Sequence, residues 1–226
     1  MLFFEKSQPA PKCLEKEKRK KDGDYKCGDV LERLKNDFKN KCYICEQKGP
    51  LSINVEHFIP HEGKDNDLKF SWENLFWSCA HCNSIKSNKY KNLLNCTNND
   101  DRVEERLKYK IDLHSPEGIE IESLDKEEKT QNTKELLVNV YFGNTIQKQF
   151  EAHNLRKRIF KEIIEFHEIL LEYIHDDDIE DEYKKNLLSK IKRHLNIESA
   201  FVSFKRWMIR DNKNLLNLFE KYLKDN

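Results

Sequence analysis

The period of the apolar positions changes several times along the chain, and each change predicts an element. Val30, Leu31, Leu34 and Phe38 recur at helical spacing behind Asp29, a residue able to cap, so Asp29 to Phe38 is expected to be a helix. Gly49-Pro50 marks a turn. Leu51, Ile53 and Val55 then alternate with Ser52, Asn54 and Glu56 as a half-buried strand does, and Pro60 ends the pairing. Residues 61 to 69 read as a polar loop, and Trp72, Leu75, Phe76 and Trp77 supply aromatic bulk for a miniature core. From Cys82 onward the pattern fits a helix with Asn83 in its first turn and Lys86, Lys89 and Lys91 on its outer face. Tyr109, Ile111 and Leu113, the turn Ser115-Pro116-Glu117-Gly118, and Ile119 and Ile121 predict a hairpin.

Beyond the hairpin the period is helical. Leu155, Ile159, Ile163, Phe166, Leu170 and Ile174 line one long amphipathic helix. A second carries Ile179, Tyr183, Leu187, Ile191 and Leu195, a third Phe201, Phe204, Trp207 and Met208, and a last one Leu215, Phe219, Tyr222 and Leu223. The acidic run Asp176-Asp177-Asp178, followed by Glu180, Asp181 and Glu182, reads as a solvated turn opening the second of these helices. The expected fold is α+β: an N-terminal arm and helix (1–40), a strand-and-helix core (41–96), a connector containing the hairpin (97–128) and a mostly α-helical C-terminal domain (129–226). In the arm, Pro9 and Pro11 block regular structure, and the mixed charges from Lys16 to Lys26 suit a solvated face.

Composition narrows this picture. Charged residues make up 36% of the 226, against about 25% in typical domains, and 37% are apolar, so the core must be lean or helped by a ligand. Lys+Arg and Asp+Glu both number 41, so the chain lacks the basic excess with which a protein grips nucleic acid unaided. No apolar run approaches a membrane helix, and Met1-Leu2-Phe3-Phe4 meets Glu5-Lys6 before a signal-peptide core forms; a cytoplasmic protein is expected. In a reducing compartment the pairs Cys42-x-x-Cys45 and Cys79-x-x-Cys82 suit metal ligation better than disulfides, with a thiol-redox centre as a more distant alternative. Cys13, Cys27 and Cys96 have no partner at ligand spacing and read as small buried hydrophobes.

The candidate chemistry lies between the two cysteine pairs. Four thiolates match a tetrahedral structural Zn2+, with bonds of about 2.3 Å. Glu56, His57 and Asn83 form a separate set. A neutral imidazole can take a proton from water, and carboxylate and amide oxygens suit a divalent ion such as Mg2+, with Mn2+ next. Lys86 and Lys89 are candidates for contacting backbone phosphates; His61 and His81 lie close by and could contact phosphate, His61 being kept as a candidate, or substitute as ligands, though both read first as surface residues. His114, His153, His167, His175 and His194 are assigned no role.

Taken in order, Cys42-x-x-Cys45, Glu56-His57-Phe58-Ile59-Pro60, Asn74-Leu75 and Cys79-x-x-Cys82-Asn83-x-x-Lys86 resemble the zinc-stapled HNH endonucleases with a ββα-metal core. The resemblance is strong over roughly residues 40 to 95. It implies a general base at His57, ligands of one catalytic divalent ion at Glu56 and Asn83, and at Asn74 a residue that pins the loop bearing His57. The third motif letter is Asn here, and Glu56 stands where the family has Asp. A weaker similarity, through Trp72-Glu73-Asn74-Leu75 and Asn154-Leu155-Arg156, extends to the PtuB-like HNH effector subunits of Septu-type and retron-linked anti-phage systems, which work beside an ATPase. It implies a nucleic-acid substrate, DNA before RNA, and an ATPase partner (PtuA-like) held through the helical domain. The alternative is a catalytically idle zinc module that binds nucleic acid or a protein partner.

Overall fold

The computed structural model describes residues 1–115, 117–175 and 180–223. The run Asp176-Asp177-Asp178, Ile179 and Pro116 lie outside the described residues. The fold is α+β, and the chain divides into two units, Met1–Leu107 with Ser123–Val140, and Lys108–Glu122 with Tyr141–Asn226.

The first unit opens differently from the expected polar arm. Met1, Leu2 and Phe4 are buried, and the Phe4 ring packs 5.2 Å from that of Phe38. Beyond Pro11 a short helix, α1 (Lys12–Lys18), forms and the chain folds back so that Cys13 and Cys27 are disulfide-bonded. The expectation that both are unpaired hydrophobes is thus overturned; a pair 14 residues apart has no spacing signature, and only the fold-back joins them. Cys96 is fully buried. Helix α2 (Val30–Asp37) presents Val30 and Leu34 to the core, and Asp29 occupies its N-cap position without a side-chain capping bond.

Strands β1 (Ile53–His57) and β2 (Leu75–Cys79) pair antiparallel, Ile53 opposite Cys79 and His57 opposite Leu75. All five β2 residues are buried, which is why their sequence shows no alternation. The expected loop 61–69 contains the start of a short helix, α3 (Asn66–Phe70), because the Asp65 side chain accepts the Leu68 N–H and Phe70 is buried. Helix α4 (Ala80–Lys86) follows β2 directly and completes the ββα unit. It starts two residues earlier than expected and ends at Lys86, so Lys89 and Lys91 are not on it. After a further short helix, α5 (Val103–Arg106), the unit is closed by α6 (Glu128–Phe142) as far as Val140. There the Thr133 hydroxyl accepts the Leu94 N–H at 2.9 Å, the Asn139 amide donates to the Tyr90 hydroxyl at 2.6 Å, and His81 Nε2 donates to the Val140 carbonyl at 2.8 Å. His81 is therefore half-buried rather than a free surface residue.

The second unit holds the hairpin β3 (Leu107–Ile111) and β4 (Ile119–Ser123), where Tyr109 meets Phe204 edge-on at 5.1 Å. Gly118 turns this hairpin at φ +56°, and a Cβ there would run into Phe160. Helices α7 (Ile146–His175), α8 (Asp181–Leu195), α9 (Val202–Arg210) and α10 (Lys213–Phe219) make up the rest. Phe166, Leu170, Ile191, Leu195, Ile209, Phe219 and Leu223 form their shared core. No helix among the described residues is long and apolar enough to cross a membrane.

Candidate active site

The cysteine cluster is shaped by backbone bonds. Lys39 and Asn40, both at φ +54°, reverse the chain after α2, and Glu46 at +62° turns the first knuckle. Within it the Cys42 N–H donates to the Gln47 carbonyl at 3.1 Å and the Glu46 N–H to the Cys42 carbonyl at 2.9 Å; the Tyr43 N–H ties the knuckle to Trp77 of β2 at 3.1 Å. Cys79 ends β2 and caps α4, its sulfur accepting the Cys82 N–H, so the strand-to-helix junction itself delivers the second pair. All four residues are buried, and their sulfur atoms lie within 4.8 Å of one another. Thiolates around a tetrahedral ion with bonds of about 2.3 Å stand roughly 3.8 Å apart. The Cys45 and Cys79 sulfurs are 3.9 Å apart, so the cluster could hold a metal ion such as zinc. Burial opposes ionisation of Cys42, but hydrogen bonds from the other three thiols outweigh it and hold its pKa well below the usual value. Burial and the same neighbours push Cys82 well above it.

At the other end of the two strands lies an open groove of about 700 Å³, bordered by Glu56, His57, His61 and Asn83. The half-buried His57 ring is walled by Tyr25 at 4.6 Å and His61 at 4.4 Å, both edge-on. Its Nε2 is 2.9 Å from the Lys69 carbonyl. A carbonyl can only accept, so the ring proton sits on Nε2 and the Nδ1 lone pair is left as the basic atom. Burial lowers the His57 pKa to about 4, against the opposing pull of the Lys69 carbonyl, and keeps the imidazole neutral near pH 7.

Glu56 is buried beside it. Its Oε1 is 2.5 Å from Lys86 Nζ, and Lys86 is itself fully buried, donating also to the His57 carbonyl at 3.2 Å. The expected outer-face position of Lys86 is corrected by this pair: Lys86 lies four residues after Cys82 and three after Asn83, on the face of α4 that meets β1. It is a counter-ion inside the unit, out of reach of solvent-borne phosphate. Burial raises the Glu56 pKa, with Lys86 acting against it. The Glu56 carboxylate also meets the buried Tyr43 hydroxyl, which acts with Lys86 to keep it ionised. Together with the Asn83 amide on the same groove, this donor set fits a hard divalent ion taking oxygen ligands.

Asn74 does not border the groove but stands behind it. Its Oδ1 accepts the Ile59 N–H at 2.7 Å, and its Nδ2 donates to the carbonyls of Ile59 at 2.9 Å and Leu68 at 3.0 Å. Those bonds clamp the turn after His57 to the helix whose Lys69 carbonyl orients the ring. Lys89, exposed, donates to Glu135 Oε1 and the Tyr90 hydroxyl, both at 3.2 Å, and Lys91 pairs with Glu62. The groove also takes in residues that sequence reasoning passed over: Tyr25, Lys64, and Ser87, which leaves α4 at φ +41°. Tyr25 had one available signal, its position between Cys13 and Cys27. Searches of the curated proteins and of the solved structures found no match. Residues 42–89, from the first knuckle to just past α4, match the family model described as HNH endonuclease, and that span holds the cysteine cluster, Glu56, His57, Asn74 and Asn83.

Proposed function

We propose that the chain is a metal-dependent HNH endonuclease that hydrolyses phosphodiester bonds of nucleic acid, DNA in preference to RNA. The observation that carries this is the neutral His57, its Nδ1 lone pair free, sharing one groove with Glu56 and Asn83. In this reading Nδ1 takes the proton of the attacking water, and the Lys69 carbonyl stabilises the imidazolium that results. Glu56 and Asn83 would hold a Mg2+ or Mn2+ ion, which when bound supplies positive charge to the phosphate and the departing oxygen. Asn74 keeps His57 in place, the four cysteines hold a structural Zn2+, and Lys89 and His61 meet flanking phosphates.

The role beside an ATPase in anti-phage defence belongs to the same proposal. It is supported by the neutral net charge, which leaves nucleic-acid affinity to a partner, and by Ile146 and Phe150 at the start of α7, 75% and 70% exposed and one turn apart, an apolar pair that a partner would cover. One observation favours the rival reading of an idle zinc module: Lys86 already neutralises Glu56.

The deciding experiment is cleavage of plasmid DNA and of total tRNA with Mg2+ or Mn2+, native protein against His57→Ala, with and without a candidate ATPase. Cutting by the native protein alone of the two carries the nuclease reading and names the substrate; dependence on the ATPase carries the effector reading. No cutting by folded, metal-loaded protein under any condition sinks it in favour of the binding module.

A further inference from the structure

The groove has one wall that comes from outside the 42–89 span. Cys13 and Cys27 close a loop from the N-terminal segment, and Tyr25, two residues before Cys27, stands edge-on to the His57 ring. The loop is tied down on the same side. The Asp24 N–H donates to Glu17 Oε2 at 3.1 Å, Asn66 Nδ2 donates to the Lys18 carbonyl at 3.0 Å, Lys18 pairs with Asp67 at 2.9 Å, and Lys69 Nζ donates to the Gly23 carbonyl at 3.3 Å. Gly23 is pressed so close that a Cβ there would collide with the Glu17 carbonyl. The three of these contacts that leave the loop, to Asn66, Asp67 and Lys69, all reach α3, the helix whose Lys69 carbonyl orients His57. The Tyr25 ring itself is half-buried and lines the groove, and the Lys26 ammonium lies over it, 5.6 Å from its centre.

We propose that Tyr25 is a substrate-positioning residue, its ring receiving the base or sugar next to the phosphate presented to His57, and that the Cys13–Cys27 bridge holds it there. Aromatic rings accept any base through the π face, and a neighbouring ammonium adds attraction for the backbone. This rests on the nucleic-acid reading above and deepens it. Both bridge cysteines are half-buried, so a thiol reductant can reach them: two thiols of the reductant are oxidised to a disulfide, and Cys13 and Cys27 each gain a hydrogen. The loop then keeps its hydrogen bonds and the ion pairs Lys18–Asp67 and Lys20–Glu17 but not its covalent closure, and Tyr25 is released from the wall.

The test uses the full chain with Tyr25→Ala, Tyr25→Phe and the double variant Cys13→Ser/Cys27→Ser, which leaves the clustered cysteines untouched. Binding of a fluorescent single-stranded oligodeoxynucleotide is measured without added divalent ion, and cleavage of the same strand with Mg2+. Tyr25→Ala should raise Kd and KM at least about five-fold, the low end for base–aromatic stacking, with kcat changed less. Tyr25→Phe should stay within about two-fold of native, since the ring and not the hydroxyl does the work. The double serine variant should reproduce Tyr25→Ala, and adding Tyr25→Ala to it should cost nothing more. Metal content and Tm, read on every variant, separate these effects from unfolding. Native binding by Tyr25→Ala, equal defects in Ala and Phe, or no binding by the native protein with or without the ATPase would each overturn the proposal. If nothing is cut but the Tyr25 effect on binding persists, the nuclease reading fails and this one stands.

Discussion

The two ends of the β1–β2 pair are built from the same fifty or so residues on opposite principles. Cys79 stands across from Ile53 at one end and His57 across from Leu75 at the other, four residues or roughly 13 Å apart. At the cysteine end all four thiols are buried and their positions follow from backbone turns and a helix cap. At the groove end only His57 stays half-exposed while Glu56, Lys86 and Asn74 are buried, and position comes from side-chain bonds: the Asn74 clamp, the Lys69 carbonyl on His57, the Lys86 ammonium on Glu56. A closed cluster of this kind, with a metal ion bound, would supply the stability of a lean core. An open groove can then afford a buried charge and a half-exposed base.

The comparison breaks most visibly at the closed end. Removing the metal, or Cys79→Ser, should unfold the ββα unit, because structural zinc contributes apparent binding free energies of about 10–16 kcal/mol at pH 7. Metal content and far-UV circular dichroism read this directly; a stripped protein that keeps its fold would mean that the two ends are independent. At the open end, His57→Ala should cost about 10²–10⁴-fold in cleavage, with Tm unchanged, which separates chemistry from scaffold.

Lys86→Met sits between these extremes. It leaves the Glu56 carboxylate buried without its counter-ion and should destabilise by about 3–5 kcal/mol in urea unfolding. Adding Glu56→Gln should return most of that loss, whereas a solvent-facing lysine would give less than about 1 kcal/mol.

The pH dependence is smaller. The folded pKa of His57 is depressed by burial from 6.5 to about 4, so its contribution to stability is present above pH 6.5 and is lost as pH falls through about 4. The acid limb of kcat/KM should therefore lie well below 6.5. His194 in the second unit, lowered to about 4 by burial and then by Lys205, adds to the same loss. His194→Gln should flatten the stability profile between pH 6.5 and 4 without moving the cleavage limb. Lys89→Ala should have the least effect, under about three-fold in affinity with a salt slope reduced by about one, because its ammonium is exposed and shared with Glu135.

Much of the fold was legible because periodicity survives averaging. The long helix with Ile159, Ile163, Phe166 and Leu170 on its buried face, and the Tyr109–Ile121 hairpin, follow from spacing alone. Helix α3 did not, because five polar-rich residues give too short a window and its start depends on the Asp65 cap. The site divides in the same way. The cysteine pairs carry their spacing locally, one in a knuckle and the other across a helix cap, so they could be read as one cluster. The environment of Lys86 could not be read: a lysine in the last turn of a helix looks exposed until one knows which face meets β1.

By itself, then, the sequence determined the chemical inventory and the local geometry: which residues are thiols, bases and oxygen donors, which segments coil and which extend, and where turns fall. These depend on neighbours within a few positions. Tertiary structure alone decided which lone pair of His57 is free, that Glu56 is buried between Lys86 and Tyr43, that Lys86 is a buried counter-ion, and that Cys13 and Cys27 meet and carry Tyr25 to the groove. Those are contacts between residues 12 to 32 positions apart or more, and their energies depend on burial, which no local pattern encodes.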